Sequence, residues 1–314
     1  MMTPPVWQQI GGILFGKPIM VRSEGPQMTK AVISLTSIPP RFSGLKDCLT
    51  SLLNQTADIA EIVLYLPRTY RRFPGTWDVP DVPRGVKIRR CDADLGPATK
   101  VLPAIADNAG TDNLILFCDD DKIYAPDWAQ QLISSATARP NDAVALFGMN
   151  VTHVSHFNWE SRHSSAAQFV TKDWRYRAKR TLSFGYWKPP FCQSSGYADT
   201  LCGWAGCAVR PGFFREEDFS IPDVLWTVDD IWLSGCLAKN GISIWLENTA
   251  KDRRATRGVN DIKSDALTYF TYKGFNRSQA NHACVRYFRD TYGIWGGGNA
   301  QKASGAPVRK VRTE

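Results

Sequence analysis

The sequence has no apolar run longer than about five residues, far short of the roughly twenty that a membrane-spanning helix requires. The N-terminal "IGGILFGKPIMV" is brief, holds two glycines, and lacks the basic start and small-residue cleavage site of a secretion signal. A cytoplasmic protein, at most peripheral at the inner face of a membrane, is therefore expected. None of the eight cysteines forms a CxxC pair. Cys202 and Cys207 in "CGWAGC" offer one half of a zinc site with no second half. A disulfide framework is not expected in a chain this long without a secretion signal. Cys118 and Cys236 read as small core residues.

Positive charge is plentiful. The net charge of +8 is spread over "RTYRR", "VKIRR", "KDWRYRAKR", "KDRRATR" and "VRKVR". Nucleic acid, an anionic membrane surface and a phosphorylated substrate all have the charge to pair with such clusters. At 314 residues the chain is long enough for one large domain or two small ones.

Residues 31–149 alternate strand and helix patterns. Strands are expected at 31–37, 61–67, 85–92, 113–118 and 143–149, and helices at 43–55, 97–108 and 126–138. Pro97 sits in a first helical turn and Pro103 marks a kink. The continuous apolar run "NLILFC" predicts a strand buried on both faces, as in a parallel sheet. The alternation argues for an α/β sheet of doubly wound type. Residues 150–195 are aromatic, basic and serine-rich without periodicity, the composition of a functional loop or lid. Strands follow within 196–210, then a helix at 229–241 stopping on Gly241 and a strand at 242–248. Five parts are expected: an N-terminal extension (1–30), a first α/β half (31–150), a second half (151–250) that contains the 150–195 insertion, a helical region (251–295) and a disordered basic tail (296–314).

The stretch "LILFCDDDKIY" ends a buried strand on three consecutive aspartates. Ligands bind at the carboxyl ends of strands in an open parallel sheet. If strand alternation persists, Asp119 and Asp121 point one way and Asp120 the other. Converging carboxylates need a proton or a cation between them, and hard oxygens suit Mg2+ or Mn2+. The plainer reading is an aspartate-rich turn that caps the next helix. Asp229 and Asp230 open a second helix. One reads as an N-cap, and the other is free to face a cleft as a general base.

The order of "AVISLTSIPPR", an aspartate after the third strand, "LILFCDDD", "GWAG" and "VDDIWLSGCLAKNG" resembles the GT-A-fold glycosyltransferases, family 2-like, over about 31–250. The resemblance implies a Rossmann-like, mostly parallel sheet with an irregular acceptor-side region. It implies metal ligation by Asp119 and Asp121, with Asp120 on the donor and His282 in "NHACVRYF" as a further ligand. Thr36 and Pro39 would lie against the nucleotide base. Asp92, with Asp94 as the alternative, would contact base or ribose, and Lys100 the phosphates. Gly203 and Trp204 would lie under the transferred sugar. Asp230, or Asp229, would be the catalytic base of an inverting transfer. The implied partners are a UDP- or GDP-linked sugar, a glycan or glycolipid acceptor of cell-surface polysaccharide or glycolipid synthesis, and Mn2+ or Mg2+. No nucleic acid is expected. A sugar-nucleotide pyrophosphorylase is disfavoured, because "LTSIPPRFSGL" replaces the glycine-rich basic loop such enzymes carry after their first strand. The competing reading is a non-enzymatic basic module for nucleic acid or anionic membrane, with Trp174 and Tyr176 stacking on bases or resting at a lipid interface.

Overall fold

The computed structural model describes residues 30–155, 166–170, 173–184, 186–187, 192–248, 256–257 and 267–296. The expected N-terminal extension before residue 30, the tail after residue 296 and the cluster "VRKVR" lie outside these residues. Along the chain run β1 (Ala31–Thr36), α1 (Leu45–Leu53), β2 (Glu61–Pro67), β3 (Val86–Cys91), α2 (Leu102–Asp107), β4 (Leu114–Phe117), β5 (Lys122–Ile123) and α3 (Trp128–Ala138). There follow β6 (Ala143–Ala145), β7 (Gly148–Met149), α4 (Val151–Val154), β8 (Gln168–Phe169), α5 (Trp174–Leu182), β9 (Cys192–Ser194), β10 (Gly196–Ala198), β11 (Thr200–Leu201), β12 (Cys207–Val209), α6 (Asp229–Lys239), β13 (Ile244–Leu246), β14 (Thr256–Arg257) and α7 (Arg277–Tyr292).

Among the described residues, eight strands form the main sheet in the order β10-β13-β6-β12-β4-β1-β2-β3. β1 pairs in parallel with β2 and β4, β2 with β3, and β6 with β13. β12 runs antiparallel between β4 and β6, and β10 is an antiparallel edge on β13. The expected α/β sheet is therefore present, and mixed. Both faces are covered, which explains the unbroken apolar strands. Ile115 and Phe117 of β4 enter one core, with α2, α6 and α7, while Leu114 and Leu116 enter the other, with α1 and α3. Helix α1 shows the matching period, burying Leu45, Cys48, Leu49 and Leu52. None of the helices among the described residues is long and apolar enough to cross a membrane.

Four expectations are corrected. The helix over 97–108 is two pieces, a 3-10 turn Gly96–Lys100 and α2, broken at Val101 (φ −123°, ψ −58°). Pro103 lies in the first turn of α2, where its missing N–H costs nothing, instead of kinking a continuous helix. The strand over 143–149 divides into β6, in the main sheet, and β7, which pairs with β11. Segment 150–195 is not wholly irregular, since α4, α5 and the β8–β9 ribbon fall in its described parts.

Candidate active site

β1 and β4 are parallel neighbours, so their carboxyl ends open on one side of the sheet. A cleft of about 320 Å3 lies there, walled by Thr36, Ser37, Ile38 and Arg41 after β1, Tyr70, Arg72 and Phe73 after β2, and Asp94, Gly96 and Lys100 after β3. Asp119, Asp120 and Asp121 form its floor with Trp204, Trp226, Asp229, Asp230 and Arg277. The chain after β3 is pinned to β1, because the Ser34 hydroxyl donates to the Lys100 carbonyl at 2.6 Å.

The three aspartates do not alternate as a strand would dictate, because β4 ends at Phe117. Each finds a cation of the chain itself. Asp119 Oδ1 accepts from Lys100 Nζ at 2.6 Å. Buried Asp120 accepts from Arg41 at 2.8 Å and from the Ser37 hydroxyl. Asp121 pairs with Lys122, and its other oxygen lies 3.6 Å from the same Arg41. Burial works to raise the Asp119 carboxyl, but the Lys100 ammonium beside it holds it below the usual range. Asp120 is different: burial prevails over Arg41 and Ser37, and its pKa is raised.

Lys100 is the hub. Its side chain is 5% exposed, and Nζ lies 2.6 Å from Asp119 and 2.8 Å from Asp229 Oδ2. Burial alone would discharge it, yet Asp119, Asp229 and Asp230 together lift its pKa well above that of a free lysine. Gly203 packs on it, for a Cβ there would stand 2.7 Å from Nζ. The Gly203 N–H donates to Asp230 Oδ1 at 2.9 Å. Asp230 is pushed up to about 7, first by burial and then by its neighbour Asp229, with Lys100 opposing. Neither aspartate caps α6; the N-cap is Val228, which has no side chain to serve as one. The expectation that one of the pair caps the helix is thereby corrected, and Asp229 is a buried ion-pair partner.

The "GWAG" turn is held against the aspartates by residues that follow them. Tyr124 Oη accepts from the Asp119 N–H and also lies 3.1 Å from the Trp204 carbonyl. Trp128 donates to the Ala205 carbonyl at 2.8 Å. Gly206 takes φ +109°, and its missing Cβ leaves room for the Trp128 ring. Trp204 lines the cleft with its ring against Phe147.

Of the expected site residues, Thr36, Asp94, Lys100, Asp119, Asp120, Asp121, Trp204, Asp229 and Asp230 line the cleft, and Gly203 lies directly behind it. Pro39 does not line it; it is buried in the first turn of a 3-10 helix, and neighbouring Ile38 faces the cleft in its place. Asp92 points to solvent with Arg68, both side chains 63% exposed. The alternative, Asp94, is inside, but its carboxylate accepts from the Arg71 and Gly96 N–H groups and so locks the loop. His282 is on α7 beside Arg286 and lines a separate cavity of about 750 Å3. It does not line the cleft that holds the aspartates. Arg41, Tyr70, Phe73, Trp226 and Arg277 were not foreseen, though "RTYRR" and "IPPR" are visible as arginines directly after predicted strands.

Among the described residues, no three His, Cys, Asp or Glu side chains converge as metal ligands. Asp119 and Asp121 line one cleft with hard oxygen atoms, but each pairs with a cation of the chain, Lys100 or Lys122, so a divalent ion would have to displace those pairs and draw further ligands from phosphate and water.

Residues 79–196 match the family model "Glycosyl transferase family 2". The matched segment runs from before β3 through the triple aspartate to β10. The match covers under half of the chain, and over those residues it agrees with the family 2-like resemblance. Glucosyl-3-phosphoglycerate synthase from Mycobacterium tuberculosis, solved with Mn2+, uridine-diphosphate-glucose and phosphoglyceric acid, is 13% identical, with a TM-score of 0.33 over 60% of this chain and 58% of that one. S. aureus TarS in complex with UDP is 12% identical, with a TM-score of 0.40 over 72% of this chain and 59% of that one. The chain thus spans less than two thirds of either solved structure. No curated protein matches it.

Proposed function

We propose that the chain is a glycosyltransferase that moves a sugar from a UDP- or GDP-linked donor to an acceptor hydroxyl, with inversion. The observation that carries this reading is the convergence of strand-end and α6 aspartates on one buried lysine in a single cleft. The family match over 79–196 agrees with it. Polysaccharide or glycolipid synthesis is the setting proposed for the acceptor.

The aromatic end of the cleft, with Tyr70, Phe73 and Trp226, offers flat apolar faces to a nucleotide base. Lys100 and Arg277 supply positive charge for the diphosphate, and both are held near Asp229, at 2.8 and 4.0 Å. Asp119 and Asp121 would hold Mn2+ or Mg2+, whose chemistry when bound is to offset charge growing on the departing diphosphate. Asp230 takes the acceptor proton. Its Oδ1 is occupied by the Gly203 N–H, which leaves Oδ2 for that task, and a pKa of about 7 suits a base working at neutral pH. As the acceptor oxygen bonds to the anomeric carbon, the bond to the diphosphate breaks on the opposite face.

The test is nucleoside-diphosphate release from a panel of UDP- and GDP-sugars with Mn2+ or Mg2+, beside calorimetry with the free nucleotides. Release from one donor that depends on Asp230 supports the proposal. No release and no nucleotide binding across the panel would overturn it.

A further inference from the structure

Helix α5 (Trp174–Leu182) buries none of its residues. Nine residues are too few for a helix to sustain itself in water. It has a sound N-terminus, since the Asp173 side chain accepts from the Tyr176 N–H at 2.8 Å, and Lys179 and Arg180 suit its last turn. Among the described residues, its apolar side stays uncovered. Trp174, Ala178 and Leu182 recur at every fourth position and so share one face. Trp174 is 72% and Leu182 81% exposed, and Phe184 and Tyr186, which follow the helix in the chain, are 91% and 87% exposed. Arg175, Arg177, Lys179 and Arg180 occupy the flanks and the opposite side, and α5 contains no acidic residue.

We propose that α5 and the adjoining Phe184 form a docking surface for an anionic lipid bilayer. Trp174, Leu182 and Phe184 would enter the headgroup and acyl boundary, and the basic side chains would reach anionic headgroups. Charge and apolarity together select this occupant. A nucleic acid would pair with the arginines and leave Leu182 and Phe184 in water. A hydrophobic groove on a protein would cover the apolar face and have no use for four flanking cations. An anionic bilayer surface meets both demands, and tryptophan is favoured at that depth. The inference does not depend on the transferase reading.

The test is co-sedimentation of the full chain with phosphatidylcholine vesicles and with vesicles containing about a third phosphatidylglycerol. Binding is expected to the anionic vesicles at least roughly tenfold above the neutral ones, falling with added salt. Leu182→Glu with Phe184→Glu, and separately Arg177→Gln with Arg180→Gln, should each lower it roughly tenfold or more. Melting temperature and nucleotide binding should not change in either variant. If wild-type chain stays in the supernatant with anionic vesicles, the proposal fails. It fails also if only the arginine variant loses binding, because plain charge attraction, which the basic C-terminal "VRKVR" also supplies, would then suffice. Tight binding to a single-stranded RNA homopolymer without vesicle binding would assign the surface to nucleic acid and overturn it.

Discussion

Lys100 Nζ lies 2.8 Å from Asp229 Oδ2, with the two side chains 5% and 3% exposed. The same ammonium is 2.6 Å from Asp119 at the end of β4. One buried cation thus ties the strand-end aspartates to the first turn of α6. Without it the two carboxylates would repel each other across the gap it bridges.

Lys100→Met should therefore do more than remove a phosphate contact. Asp229 would be left buried beside Asp119 with only Arg277, 4.0 Å away, to compensate. Breaking a buried pair by removing one member costs about 3–5 kcal/mol. Urea denaturation is the measurement, and a loss below about 1 kcal/mol would show that water replaces the ammonium without strain.

Asp229→Asn tests the same bridge from the other end. Were Asp229 a helix cap, asparagine would serve nearly as well and stability would change by a few tenths of a kcal/mol. As the partner of a buried lysine, its loss should cost about 1–3 kcal/mol. It should also weaken nucleotide binding by displacing Lys100. Chemical denaturation and nucleotide calorimetry on the one variant separate the two roles.

Asp121→Ala should leave the fold intact, because its cations, Lys122 and Arg41, are not orphaned in the core. Lys122 is 16% exposed and Arg41 keeps Asp120. Calorimetry with UDP or GDP should show that the added affinity conferred by Mn2+ is lost. Retention of that increment in the variant would remove Asp121 from the metal site.

Much of this arrangement is legible in the sequence. The alternation of apolar runs and helical periods places β1, β2, β4 and α6 because both sheet faces are buried, which forces long apolar runs. The aspartate clusters can be found because like charges at strand and helix ends demand partners. The partners themselves were only partly legible. Lys100 was assigned to phosphates, and its ion pair with Asp229 spans over a hundred residues of chain, beyond any local pattern. Arg41 was hidden because "IPPR" gives no sign that its guanidinium turns back over Asp120. His282 was placed wrongly because a lone histidine after α6 carries no information about which face of α7 it occupies.

Asp230 gives the sharpest test, since one substitution should move rate and stability in opposite directions. A base works deprotonated, so the wild-type rate should rise through pH about 7 and level off above it. In Asp230→Asn that limb should vanish and the rate at pH 8 should fall roughly a hundredfold or more, with nucleotide binding kept. Stability follows from proton counting. The carboxyl titrates near 7 when folded and at about 3.9 when unfolded. Between those values the native state holds a proton that the unfolded chain has lost, so rising pH destabilises the wild type until the penalty is complete above 7. Asparagine carries no such penalty. The melting temperature of Asp230→Asn relative to wild type should climb from pH 4 to pH 7 and then stay constant. A difference that does not change with pH would mean that Asp230 ionises as an ordinary aspartate, and a variant that retains full turnover would leave the transfer without its base.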